Sequence, residues 1–243
     1  MAAGLNNLGG EQVEGRRAVL ELLRAGNRNV RAVYVTKELE ESEFAELAGS
    51  KLRAVTPEKL EAMARSDVHQ GVVAQVAPIT SADLDVLLDE PNAFLVALDG
   101  VTDPHNLGAI MRSAETAGAT GVLLPRHRSA KITPVVAKAA AGAIEHLPIS
   151  LVGGIPNALE RASRAGCWTV GLDEHGESSI FDLDLADQKL VLVLGAEGRG
   201  LARLTKQRCE MLVRIPMYGR VESLNVAAAA TLACHEVARR RNK

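Results

Sequence analysis

Residues 189–201 read KLVLVLGAEGRGL, and this stretch decides the fold class of the chain. Residues 190–194 are an unbroken run of Leu and Val that reads as a buried strand, and Gly195, Gly198 and Gly200 follow before a helical pattern over 201–208. Strands of this kind belong to parallel sheets, whose crossover helices cover both faces and whose ligands gather at the carboxyl ends of the strands. The glycines allow positive φ and close approach to the main chain, so a cofactor can lie there against exposed backbone N–H groups. The spacing is not G-x-G-x-x-G and has no G-K-[ST] tail, which makes the dinucleotide fingerprint and the phosphate-cradling loop poor matches.

The same alternation extends outward on both sides. Strands are expected at 94–98, 121–124, 147–151, 168–172 and 212–215, and helices at 108–117, 134–143, 154–165 and 224–241. Residues 93–243 are therefore expected to form an α/β domain around a mostly parallel sheet. Upstream, residues 78–92, PITSADLDVLLDEPN, carry prolines at both ends and read as a linker with one possible helical turn set at Leu84, Leu87 and Leu88. Residues 11–77 form a smaller α/β pattern, with helices at 15–26, 40–48 and 56–65 and strands at 29–36, 52–55 and 71–76. Within it, Thr56-Pro57 reads as an N-cap followed by proline at the first helical position. Residues 1–10 read as a flexible N-terminus, and no internal repeat of solenoid or propeller period is found.

Composition fits an ordinary globular protein: 47% of residues are apolar and 24% charged, with 21 Gly and 9 Pro, which excludes disordered, collagen-like and low-complexity classes. Aromatics are only 2%, so the core is aliphatic and an aromatic stacking platform for single strands is disfavoured. Cys167, Cys209 and Cys234 are odd in number and far apart, which suits neither a disulfide framework nor a zinc site. A reducing cytoplasm is expected. Nothing reads as an export signal or approaches the roughly 18 apolar residues of a membrane span. The formal net charge of −2 hides an asymmetry, because residues 1–92 hold 10 Lys/Arg against 15 Asp/Glu and residues 93–243 hold 18 against 15. The net charge gives no global signal for nucleic acid, and if a polyanion binds, charge alone points to the second part. Its candidate contacts are three basic clusters: Arg126, Arg128, Lys131 and Lys138; Arg199, Arg203, Lys206 and Arg208; and Arg239, Arg240, Arg241 and Lys243.

Two further strand-to-loop junctions are polar and glycine-rich. DGVTDPHNLG, residues 99–108, closes onto a helix bearing Arg112, with Asn106 a reasonable N-cap. IPMYGRVESLNV, residues 215–226, precedes the long last helix, which Ser223 or Asn225 can cap, while Ala227 to Ala230 supply small residues for close packing. Capping explains one of these two polar residues and not the turn through Pro-Met that precedes them. His235-Glu236 lacks the second histidine of a zinc helix, no G-x-S-x-G elbow occurs, and the six histidines do not cluster with cysteines. Metal and acyl-enzyme chemistry are disfavoured.

Taken together, DGVTDPHNLGAIMRSAETAG (99–118), LGAEGRGL (194–201) and IPMYGRVESLNVAAAA (215–230) resemble the three motifs of the SpoU/TrmH branch of the SPOUT methyltransferases, which methylate ribose 2′-oxygens of RNA. VEGRRAVLELL (13–23) and VHQGVVAQV (68–76) resemble the ribosomal-protein-L30-like RNA-binding domain of the bacterial 23S rRNA guanosine 2′-O-methyltransferases, so the resemblance covers nearly the whole chain. One departure is Ala227, where many relatives have Ser. The resemblance implies a deep trefoil knot, a rare exception to the rule against threaded loops. It implies S-adenosylmethionine bent into that knot, bound by Gly195, Ile215 and Leu224 mainly through backbone groups, with Gly198 and Met217 beside them. Asn106, Arg112, Glu197, Ser223 and Asn225 become the polar set around the transfer site. The implied partners are 23S rRNA or its precursor and a second copy of the chain, with no metal and no membrane. A tRNA or other rRNA ribose is the alternative substrate. A non-catalytic RNA-binding role on the same fold is disfavoured by the intact polar set.

For the reaction, an Arg side chain offers donors only and stays protonated, so Arg112 is expected to clamp a phosphate and stabilise developing alkoxide charge. The proton would pass to a phosphate oxygen or water. Asn106 and Asn225 would orient Arg112 or the ribose, and Glu197 would fix a loop N–H or an Arg.

Overall fold

The computed structural model describes residues 7–66, 69–127, 131–184, 188–221 and 223–241. Its elements run β1 (Gln12–Glu14), α1 (Arg16–Ala25), β2 (Val30–Val35), α2 (Glu43–Ala48), β3 (Leu52–Ala54), α3 (Pro57–Met63), β4 (Val72–Val76), α4 (Leu84–Asp89), β5 (Phe94–Asp99), α5 (Pro104–Thr116) and β6 (Gly121–Pro125). They continue with α6 (Pro134–Ala139), β7 (Ile149–Val152), α7 (Ile155–Arg164), β8 (Trp168–Leu172), β9 (Ser178–Ser179), β10 (Leu190–Gly195), α8 (Arg203–Arg208), β11 (Met211–Arg214) and α9 (Val226–Arg241).

β10, the unbroken Leu/Val run, lies in the middle of a seven-stranded sheet of order β7-β6-β5-β10-β8-β11-β9, in which every paired strand is parallel. Its alternation explains why an uninterrupted apolar run was needed. Leu190, Leu192 and Leu194 enter the core shared with α5, α6 and α9, whereas Val191 and Val193 enter the core shared with α4 and α7. All five are buried. A smaller sheet, ordered β1-β4-β2-β3, covers one face with α1 and α2, through Val19, Leu22, Val33, Val35 and Phe44.

Several boundaries differ from the sequence expectation, each for a local reason. α5 begins at Pro104, because Asp103 is its N-cap: the Asp103 carboxylate accepts from the Asn106 N–H at 2.8 Å, and proline takes the first helical position. Asn106 is therefore inside the first turn and is not the cap. α6 stops at Ala139, since Ala141 and Gly142 adopt φ of 51° and 90°, and a 3₁₀ turn at Ala143–Glu145 follows. Asn225 caps α9, accepting from the Ala227 N–H at 2.8 Å. β1 and β9 were not expected; they have three and two residues and carry no apolar alternation.

The segment expected to be a plain linker is built into the fold. Leu84, Leu87 and Leu88 of α4 are buried against Leu95, Leu123 and Leu159, and the Ala82 N–H donates to the Ile149 carbonyl. Residues 7–10, expected to be flexible, are also tied down: Leu8 is buried, and it exchanges backbone hydrogen bonds with Ile79 and Ile132. Residues 1–6 lie outside the described residues. The C-terminal basic cluster proves mostly structural. Arg239 and Arg240 both pair with Glu236, while Arg241 donates to the carbonyls of Asn92, Ala93 and Gln188 and stacks on Phe94. Arg128 and Lys243, counted among the basic clusters, lie outside the described residues. No helix among the described residues is long and apolar enough to cross a membrane.

Candidate active site

Because all strands of the large sheet run the same way, the carboxyl ends of β5, β8, β10 and β11 come to one edge. A cavity of about 880 Å³ opens there, within the range of small-molecule and cofactor pockets. Its wall includes the glycine-rich loop after β10, the segment from Arg214 to Met217 after β11, and the approach to α9 from Ser223 to Val226. The second and third junctions singled out in the sequence thus share one concavity. Gly195, Glu197, Gly198, Ile215, Met217, Ser223, Leu224 and Asn225 all line it.

The loop after β10 is held tightly. The Ala196 N–H donates to the Gly200 carbonyl at 3.1 Å and the Gly200 N–H returns to Ala196 at 2.9 Å, closing a narrow ring. Asp99, at the end of β5, accepts from the Ala202 N–H at 2.9 Å and pins the loop exit. Only glycine fits at 195, where a Cβ would stand 2.2 Å from the Gly200 carbonyl carbon. Gly198 and Gly200 adopt φ of 73° and 62°, the region that glycine enters without strain.

At the mouth, a directional hydrogen-bond chain joins the three junctions. The Asn225 side-chain NH₂ donates to the Asn106 carbonyl oxygen at 3.1 Å, and the Asn106 NH₂ donates to Glu197 at 3.2 Å. Since an ionised carboxylate only accepts, Glu197 fixes which way Asn106 faces, and Asn106 in turn fixes Asn225. The remaining Asn225 oxygen caps α9, so both ends of that amide are committed. Arg112 stands apart. It lies more than two turns into α5, is exposed, and its guanidinium has no hydrogen-bond partner among the described residues. Ser223 is exposed on the cavity wall and outside the chain of amides.

The structure adds two residues that the motif reading did not assign. Asp173, just past β8, pairs with Lys206 at 2.5 Å and accepts from the His175 N–H, and both partners of the pair line the cavity. Burial opposes ionisation of Asp173, but Lys206 and the His175 N–H outweigh it and hold the carboxyl below its ordinary range. An acidic residue at the carboxyl end of a strand was the available signal. Cys209, close beneath Gly171, is pushed up to about 12 by burial and by the nearby Asp99, Asp173 and Glu210 carboxylates, and burial alone pushes Cys234 to about 12. Neither thiol is a nucleophile at neutral pH. All three cysteines are free, and no group of His, Cys, Asp and Glu suited to a metal occurs among the described residues.

Comparison with known proteins fits this geometry. Residues 93–235 match the model of the SpoU rRNA Methylase family, and residues 12–82 match that of the RNA 2′-O ribose methyltransferase substrate-binding domain. The 23S rRNA (guanosine-2′-O-)-methyltransferase RlmB of Pseudomonas putida is 39% identical, with 95% of this chain and 97% of that protein covered. An uncharacterized tRNA/rRNA methyltransferase of Mycobacterium ulcerans is 41% identical over 95% of this chain and 77% of its own length. Among solved structures, the SpoU methyltransferase AviRb from Streptomyces viridochromogenes, in complex with AdoMet, aligns with a TM-score of 0.80 and 31% identity, covering 95% of this chain and 90% of that one.

Proposed function

Because the chain belongs to the SpoU rRNA methylase family, an S-adenosylmethionine-dependent group of RNA 2′-O-methyltransferases, we propose that its substrate is a guanosine ribose of 23S rRNA or its precursor. The name carried by the Pseudomonas putida relative, similar along nearly its whole length, supports this choice. The same reading includes the knot, a homodimer and action in the cytoplasm. The exposed Leu232 on α9, beside the α5–α9 contact, is available to such an assembly.

The observation that carries the reading is the Asn225–Asn106–Glu197 chain at the mouth of a glycine-lined cavity. The cavity suits S-adenosylmethionine in size, and the missing side chain at Gly195 lets the Gly200–Leu201 backbone close the loop that forms its wall. Gly195, Ile215 and Leu224, with Gly198 and Met217, would hold it. When bound, it supplies a methyl carbon already activated by a positive sulfur. The protein must then position the acceptor and accommodate the charge that develops on the ribose oxygen. Arg112, exposed and without a hydrogen-bond partner for its guanidinium among the described residues, is available to clamp a phosphate next to the target ribose and to stabilise that charge. Asn106 and Asn225, locked by Glu197, present fixed faces towards the ribose, while Ser223 contributes a hydroxyl from the cavity wall. The proton passes to a phosphate oxygen or water, since Arg112 has none of the acceptor capacity of a base.

Incubation with methyl-labelled cofactor, an rRNA fragment and excess chelator tests this. Label should appear on a ribose 2′-oxygen and should persist under chelation. Label on a base, or its loss with chelator, overturns the mechanism.

A further inference from the structure

We propose that Arg28 and Glu145 form a buried clamp that holds the small sheet domain in one orientation against the large one, making them positioning residues for methyl transfer. The inference rests on the reading of the chain as an RNA methyltransferase with its substrate-binding domain at the N-terminus.

Arg28 lies between α1 and β2, and Glu145 ends the 3₁₀ turn after α6. The Arg28 Nη1 donates to Glu145 Oε1 at 2.7 Å, with the two side chains 9% and 1% exposed. Its other two nitrogens are also engaged: Nε and Nη2 reach the Ala77 carbonyl at 3.1 and 2.6 Å, and Nη2 also reaches the Gly10 carbonyl. One guanidinium thereby fastens the incoming N-terminal strap, the exit from β4 and the methyltransferase domain. Asn27 adds a hydrogen bond to the Glu145 main-chain carbonyl at 3.1 Å. Next to it, Gly142 lies so close to α1 that a Cβ would stand 2.4 Å from Glu21 Cβ.

A flexible tether between an RNA-capturing domain and a catalytic one needs none of this. Exposed ion pairs contribute little, whereas a buried pair carries a desolvation cost that apolar residues would avoid. Here the cost is conspicuous, because Glu145 Oε2 is buried without a hydrogen-bond partner among the described residues. A directional fork with all three of its nitrogens engaged is suited to fixing an angle between two bodies, a role for which stability alone gives no reason. The route to the site is short. The 3₁₀ turn and α6 both pack on α5, where Gly108 approaches Ala139 and Val136, and α5 carries Asn106 and Arg112. RNA held by the small domain would thus be presented to α5 in a set register. A small error in that register is costly, since misplacement by about 1 Å can cost roughly a hundredfold in rate.

The test compares wild type with Arg28→Ala, Arg28→Lys and Glu145→Gln, reading single-turnover transfer at saturating rRNA fragment and cofactor, cofactor affinity, and amide hydrogen exchange. Arg28→Ala should slow transfer by roughly tenfold or more, leave cofactor affinity within about twofold, and speed exchange only at residues 8–10, 76–79 and 143–147. Arg28→Lys, which keeps the charge and one donor to Glu145, should recover part of the rate. If the Ala variant does not fold, Glu145→Gln keeps the shape and the carbonyl contacts and should show the same localised exchange with a smaller rate loss. Transfer within twofold of wild type in these variants overturns the proposal. So does exchange that rises across both sheets together with loss of cofactor affinity, because that pattern marks general unfolding. A wild type that labels no RNA refutes the substrate reading instead, and the exchange pattern still reports on the clamp.

Discussion

Replacing Gly195 by alanine tests whether the cavity depends on its backbone. The added Cβ would stand 2.2 Å from the Gly200 carbonyl carbon, 2.4 Å from the Leu201 nitrogen and 2.5 Å from the Gly200 oxygen. Ordinary carbon contacts lie at about 3.5–4.0 Å, so the facing backbone must retreat by more than about 1 Å. That facing backbone is one side of the Ala196–Gly200 ring, whose two hydrogen bonds of 3.1 and 2.9 Å cannot both survive such a shift. At about 0.5–1.5 kcal/mol per hydrogen bond, the loop loses roughly 1–3 kcal/mol of its organisation. If cofactor binding requires that organised loop, affinity falls by roughly five- to 150-fold, at a factor of ten per about 1.4 kcal/mol. Calorimetric titration of S-adenosylmethionine against wild type and the Gly195→Ala variant measures this directly, with thermal unfolding as a control. Binding within about twofold of wild type would refute the argument that main-chain geometry at this loop makes the pocket.

Arg112→Lys should lower single-turnover transfer roughly ten- to a hundredfold at every pH while leaving cofactor affinity unchanged, since Lys cannot reproduce the forked contact and each charge-assisted bond is worth about 1.5–3 kcal/mol; near-wild-type rates at high pH would favour a general base instead. A fragment of residues 93–243 should aggregate, because removing α4 uncovers the sheet face that Leu84, Leu87 and Leu88 bury, at about 1.5–3 kcal/mol for each side chain. A fragment starting at residue 78 should fold and bind cofactor but select RNA poorly. Soluble, cofactor-binding 93–243 would show that α4 is dispensable.

What was legible in the sequence followed from local chemistry. The parallel sheet was readable from residues 190–194, because a strand buried on two faces leaves no polar position, and the end of α1 from Gly26, which adopts φ of 64° as its C-cap. The carboxyl-edge loops were readable because three glycine-rich, polar junctions each follow an apolar strand, at the edge where parallel sheets gather their ligands. Asp103-Pro104 carried the true start of α5, but Asn106 offered an equally good cap on composition alone, and choosing between them required the backbone. Likewise Leu84, Leu87 and Leu88 looked like one isolated turn, since sequence does not show which sheet face is still uncovered.

The sequence by itself determined the fold class, the three junctions and the residue types available for chemistry, because these depend on periodicity and on donors and acceptors each residue carries. The tertiary structure alone decided which of them meet. Glu197 and Asn225 lie 91 and 119 positions from Asn106 along the chain and come within hydrogen-bond distance of it only through strand order. Arg28 finds Glu145 across 117 residues, and neither residue differs in sequence from any solvent-facing charge. Whether a charge becomes a clamp or stays in water depends on burial, and burial is a property of the packed chain.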